Sequence, residues 1–265
     1  MLHHVIIGEG RPVIVLHGVR LDHRHMVETC EPVFTGLHAW RRIYVDMPGH
    51  GHNGPGDGID TQEDLLNAVL SFATKEFPSE RFTLIGLSRG SYIARGIAYL
   101  RPDLVDGMAL IVPGGNPSAP PGRLPKHVTL APDPGLRPSL SEDELVRFDG
   151  LVVQNSAVMD KARRTIDPAL PLHDPAMFQR VWRNFDFPFE LAAHQAVFDK
   201  PCLIVAGRQD SWSGYLDAVD ALPCYPRATL AVLDTAGHNL AWERPALFEA
   251  LLRDWLERVA SETSA

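Results

Sequence analysis

A chain of 265 residues with 45% hydrophobic content is long enough for one large domain, or a domain with a sizeable insertion, and can bury a full core. Its formal net charge of −8, with Lys and Arg scattered rather than striped, leaves no basic field for a phosphate backbone and excludes nucleic acid as the expected partner. No window approaches the roughly 20 apolar residues of a bilayer span, so no membrane partner is expected. The first residues read as strand rather than leader, and Cys30, Cys202 and Cys224 stand at unpatterned spacing, which suits a reducing cytoplasm and no disulfide framework.

In chain order, six short apolar and β-branched runs end at glycine, proline or charge: 12–17, 41–46, 81–86, 107–112, 201–207 and 228–234. Runs that are apolar throughout suit strands covered on both faces, and so predict a parallel sheet. Between them the pattern turns helical. After the box-like Thr61–Asp64, apolar residues at 66, 69, 70, 73 and 77 repeat at helical spacing, and from Pro245 onward the sequence does the same. Alternation of strand and helix predicts the α/β class. It breaks after Val112, where Pro, Gly and Ser accumulate and then helical and aromatic segments follow. The expected organisation is a core of residues 1–116 and 198–265 with a helical cap at 117–197.

Within the third run the sequence Gly86-Leu-Ser88-Arg-Gly90 closes a strand and opens a helix. A chain that reverses so sharply strains the residue at the tip, and glycine two positions to either side removes side chains that would strike the neighbouring backbone. The geometry presents Ser88 Oγ at a helix N-terminus, where unpaired amides favour developing negative charge. A serine hydroxyl needs a base, and the base needs a carboxylate to fix its tautomer.

Of twelve histidines, His3, His4, His23, His25, His38, His50 and His52 are assigned to loops or edges, and His127, His173 and His194 to the cap. The His-x-His pairs at 23/25 and 50/52 lack the spacing of a zinc pattern, so no metal is expected. His238 differs, because it follows a strand and precedes the last helix, on the side where open α/β sheets build their sites. Asp210 likewise follows a strand. The order Ser88, Asp210, His238 is that of nucleophile, acid and base; Asp234, too close in sequence to His238 to reach its ring easily, reads better as a turn cap. The oxyanion donors are expected from the amides of Arg89 and Val19, the latter in the His17-Gly18 turn.

These pieces together resemble the α/β-hydrolase superfamily, in the branch with a helical cap: LHGV at 16–19, DMPGHGHN at 46–53, GLSRGS at 86–91, GRQD at 207–210 and AGHNLAWERP at 236–245. The resemblance covers about residues 12–115 and 198–258 and leaves the cap uncovered. It implies an α/β-hydrolase fold, a mostly parallel sheet flanked by helices, and a Ser-His-Asp hydrolase without metal or organic cofactor. Relatives with an aspartate nucleophile, the haloalkane dehalogenases and epoxide hydrolases, are disfavoured by Ser88. Cofactor-free haloperoxidases usually carry Met where this chain has Arg89. Carbon–carbon hydrolases of dienoates usually have a longer glycine-rich oxyanion loop, although Trp242-Glu243 is reminiscent of them.

The expected activity is therefore hydrolysis of a small carboxylic ester or related acyl compound. Carbon–carbon hydrolysis or lactone hydrolysis ranks second, and a ligand-binding receptor with a vestigial triad third. Arg89 and Arg20 each have two readings: a grip on a substrate carboxylate, or, the stronger one, an ion pair with a nearby acid. Trp182, Phe185 and Trp242 are candidate substrate contacts, with packing inside the cap as the competing role for the aromatic run that continues through Phe187 and Phe189. A small molecule is the expected partner, and self-association stays open.

Overall fold

A computed structural model describes residues 1–114, 122–189, 191 and 197–262. His194 lies outside the described residues, as do parts of the expected cap boundaries. Strands β1 (His4–Ile7), β2 (Arg11–Leu16), β3 (Trp40–Val45), β4 (Phe82–Leu87), β5 (Val105–Ile111), β6 (Cys202–Gly207) and β7 (Ala228–Leu233) form one sheet in the order β1-β3-β2-β4-β5-β6-β7. Every neighbouring pair is parallel except β1 against β3. The six expected strands are all present; β1 is a short, half-exposed edge that the six runs do not include.

The helices in chain order are α1 (His23–Phe34), α2 (Gln62–Glu76), α3 (Arg89–Leu100), α4 (Glu142–Asp149), α5 (Ser156–Thr165), α6 (Pro175–Arg183), α7 (Leu216–Asp220), α8 (Leu240–Glu243) and α9 (Pro245–Glu262). Alternate strand residues feed two cores. Ile14, Leu16 and Leu84 pack with α2 and α3 through Leu66, Val69 and Ile93, while Val13, Val15 and Ile85 face α1 and α9 through Met26, Leu252 and Trp255. Covering both faces is what lets the strands be apolar throughout. Cys30, Cys202 and Cys224 are buried and unpaired within these layers.

The helix starts follow the sequence signals. Thr61 and Asp64 form a reciprocal capping box at α2, and α9 begins at Pro245. Helix α1 corrects an expectation: His23 and His25 lie in its first turn rather than in a loop. Asp22 caps it by accepting from the Arg24 amide at 3.0 Å, and the run is disguised by two histidines and by Pro32 near its end. Between β5 and β6 the described residues hold α4, α5 and α6 and no strand of the sheet. Phe148, Val158 and Met159 of this segment are buried with α1 and α9. No helix among the described residues is long and apolar enough to cross a membrane.

The β4–α3 junction is the tightest point. A Cβ on Gly86 would collide with the carbonyl of Gly90, and one on Gly90 with the carbonyl of Leu16 in β2. Ser88 between them has φ of 53°. These obstacles are main chain and cannot rotate away. Gly90→Ala is therefore expected to cost more than about 3 kcal/mol in urea unfolding. Equal stability in the variant would contradict this junction.

Candidate active site

Ser88 is the N-cap of α3, its amide donating to Ile111 O at 2.9 Å and its carbonyl accepting from the amides of Ser91 and Tyr92. Buried Ser91 braces the bend, its hydroxyl lying 2.7 Å from Gly86 O and 3.0 Å from Ile111 O. The backbone of Ser88 is thus fixed on both sides. Its own hydroxyl makes no hydrogen bond among the described residues, and stays available at the start of the helix.

Asp210 and His238 meet at this same edge of the sheet. Asp210 is fully buried; one carboxylate oxygen accepts from the amides of Trp212 (2.8 Å) and Ser213 (2.9 Å), and the other lies 2.9 Å from His238 Nδ1. A carboxylate accepts, so Nδ1 is the donor in this bond, and in the neutral ring the lone pair is on Nε2. The His238 side chain is 17% exposed, with the ring of Trp212 at 5.3 Å. Ser213 Oγ also reaches Nδ1, at 3.4 Å. Trp212 and Ser213 were not anticipated; their only signal is their place two and three residues after the acid. Asp234 is instead exposed and bonded to Gln209 and Thr235, as a turn cap.

The turn after β2 lies against the serine: a Cβ on Gly18 would come within 3.4 Å of Ser88 Cβ. Buried His17 holds this turn. Its Nε2 accepts from the Met47 amide at 2.9 Å, so its Nδ1–H donates to Gly18 O at 2.7 Å. Val19 follows, half-buried, and Arg20 is exposed with φ of 61°.

A family model described as the alpha/beta hydrolase fold matches residues 11–245. The chain belongs to the α/β-hydrolase family. Among curated relatives of this hydrolase, a pimeloyl-[acyl-carrier protein] methyl ester esterase of Shewanella woodyi is 33% identical over 114 residues, 42% of this chain and 39% of that one. A 2-hydroxy-6-oxononadienedioate/2-hydroxy-6-oxononatrienedioate hydrolase 2 of Pseudomonas putida is 24% identical over 97% of this chain and 91% of its own. The fold is shared with an alpha/beta superfamily hydrolase from Oenococcus oeni PSU-1, at a TM-score of 0.88 and 24% identity, covering 97% of this chain and 96% of that one.

The remaining candidates of the hydrolase separate. Arg89 is 3% exposed and overturns the expected ion pair: among the described residues none of its guanidinium nitrogens has a partner. It lies 5.2 Å from the ring centre of Phe178 in α6, and burial pushes its pKa down to about 10. Arg20 makes no ion pair among the described residues. Trp182, 38% exposed, packs on Phe178 and on the edge of Phe185; Phe185 in turn packs on Tyr92 of α3. The aromatic run continues by stacking of Tyr92 on Phe187, Phe187 on Phe189 and Phe189 on Tyr99, so it binds this segment to the serine's helix. Trp242 is buried beside α1, where its Nε1–H donates to Thr29 at 3.0 Å, which places it in the core rather than on an open site. Its neighbour Glu243 accepts from the amides of Gly237, Val152 and Val153, joining the histidine loop to the segment between β5 and β6.

His3, His23 and Asp46 bring three ligand atoms within 4.8 Å of one another, with the His52 ring tilted against those of His3 and His23. Asp46 already accepts four bonds, from Nδ1 of His3 and His23 and from the amides of His23 and His52. Those bonds outweigh the upward push of burial and hold its carboxyl below the usual range. A carboxylate with four acceptor sites filled needs no cation to account for it.

Burial drives three ring pKa values down: His17, and His25 and His50 to about 3 each. The unfolded chain titrates near 6.5, so above that pH neither state is charged and the full stability is present. Below it the unfolded chain takes up protons first. Stability is expected to fall between pH 6.5 and about 4, by about 1.4 kcal/mol per pH unit for each of His25 and His50, with His17 acting in the same direction. Calorimetric melting across that range checks this, with a shallower slope in His25→Phe; a flat profile contradicts burial of the rings.

Proposed function

We propose that this protein is a serine hydrolase of small carboxylic esters or related acyl compounds, working through Ser88, His238 and Asp210. The observation that carries the reading is the Asp210–His238 bond, which leaves Nε2 unprotonated at the sheet edge where the strained turn presents Ser88. The carboxylate's two further amide bonds fix its own orientation, and through it the ring's.

In the proposed sequence Ser88 Oγ forms a bond to the substrate carbonyl carbon while its proton passes to His238 Nε2. The carbonyl oxygen takes up the electron pair and is met by the amides of Val19 and Arg89, assisted by the field at the start of α3. Collapse of the tetrahedral species expels the alcohol, which takes the proton from Nε2. Water, deprotonated by the same nitrogen, then releases the acyl group. The contact between Ser88 and His238 closes as substrate binds, as is common where free sites are looser than reacting ones. No metal or organic cofactor takes part in this sequence.

Ester hydrolysis is in keeping with the S. woodyi relative, a methyl ester esterase. Carbon–carbon hydrolysis is the second reading, favoured by the alignment over 97% of the chain with the P. putida dienedioate hydrolase. The short turn from His17 to Asp22, without the longer glycine-rich loop usual in carbon–carbon hydrolases, favours the first.

Fluorophosphonate labelling is expected to fall on Ser88, and Ser88→Ala to lower ester turnover at least about a thousandfold with melting unchanged. Retained turnover in Ser88→Ala would overturn the assignment. Bleaching of a coloured dienoate without ester turnover would select the second reading.

A further inference from the structure

We propose that Arg89 is an anion anchor, and that the substrate of the Ser88 site carries a free carboxylate in addition to the bond that is cleaved. The proposal rests on the serine hydrolase reading and deepens it, naming half-esters of small dicarboxylic acids as the substrate class.

Arg89 directly follows the nucleophile, so its side chain leaves the chain at the first position of α3. It ends under α6, over the ring of Phe178. All three guanidinium nitrogens are buried and lack a hydrogen-bond partner; no other arginine among the described residues shows this. The acids that surround the site are engaged elsewhere. Asp210 is taken by His238, Asp46 by its four donors, and Asp174 by the amides of Gly56, Ala176 and Met177. His50 Nε2, a buried acceptor left bare because Nδ1 lies against Pro48 O, does not bond to Arg89 either.

A fully desolvated guanidinium with no counter-charge is costly, and native chains keep such groups paired. Elsewhere in this chain the rule holds: Arg24 is paired with Asp22, and Arg42 with Glu31. Arg95, also without an acid, still donates to the Tyr225 hydroxyl at 3.0 Å; among the described residues Arg89 is the arginine left with no partner on any guanidinium nitrogen, one residue from the serine. Its planar fork matches a carboxylate with two parallel bonds, and packing over Phe178 fixes the plane of that fork. The free carboxylate would replace the missing partner and set the distance from anchor to ester.

The test compares monomethyl glutarate and adipate with methyl butyrate and valerate in wild type and in Arg89→Met, whose unbranched side chain keeps an apolar stem and loses the charged head. Wild type is expected to prefer the half-esters. Arg89→Met is expected to shrink the half-ester to neutral-ester ratio of kcat/KM by about 100-fold, mainly through KM. Its melting temperature is expected to stay level or rise, since an unpaired buried charge is removed. Glutarate should raise the melting temperature of wild type and of Ser88→Ala but not of Arg89→Met. An unchanged ratio together with glutarate stabilising Arg89→Met equally would overturn the anchor, as would a drop in melting temperature with both ester classes falling alike. If no ester is turned over, the hydrolase reading fails by itself, and the glutarate shift still decides whether Arg89 holds an anion.

Discussion

Where β4 passes into α3, the main chains of β2, β4 and α3 approach so closely that a single methyl group fits nowhere between them. That contact sets the rest. It forces Ser88 into a left-handed conformation, puts its hydroxyl ahead of the unpaired amides of α3, and brings the turn at Gly18 against the serine. The strain at Ser88 is held by bonds on both flanks, from its own amide and from Ser91. A loosely packed sheet could not sustain such a bend; here the strands behind it are buried on both faces.

Around that bend, the loops at the carboxyl ends of the strands are organised by buried acids that accept from main-chain amides. Asp46 gathers the loop after β3, Asp210 the loop after β6, and Glu243 ties the loop after β7 to residues 152 and 153. Each acid satisfies amides that burial would otherwise orphan, so the acids serve as structural clamps whether or not they touch chemistry. Arg89 stands out against this background: among the described residues these buried acids have found their donors, and this buried cation has found no acceptor.

The parts of this architecture that depend on local sequence were readable. Apolar runs located six strands, Thr61 and Pro245 located two helix starts, and paired glycines located the bend. The chain order of Ser88, Asp210 and His238 placed all three at strand ends, and the structure joins the last two by a hydrogen bond. What escaped depends on contacts distant in sequence. Helix α1 is fixed by burial of Met26 and Cys30 under the sheet, which its histidine-rich start conceals. Trp242 is drawn into the core by Thr29, 213 positions away, and Arg89 lacks an acid only because the neighbouring acids fold onto amides. Spacing along a chain carries no information about such competition for partners.

The three thiols illustrate another outcome of the same burial. Cys30 and Cys202 sit in apolar layers that push their pKa values up, Cys202 to about 12, so the reactive thiolate is scarce while the layers hold. Alkylating reagents and peroxide meet them only when the sheet separates from its helices. The native fold thus carries its own chemical clock: the rate at which thiols become modified reads out how often the interior opens.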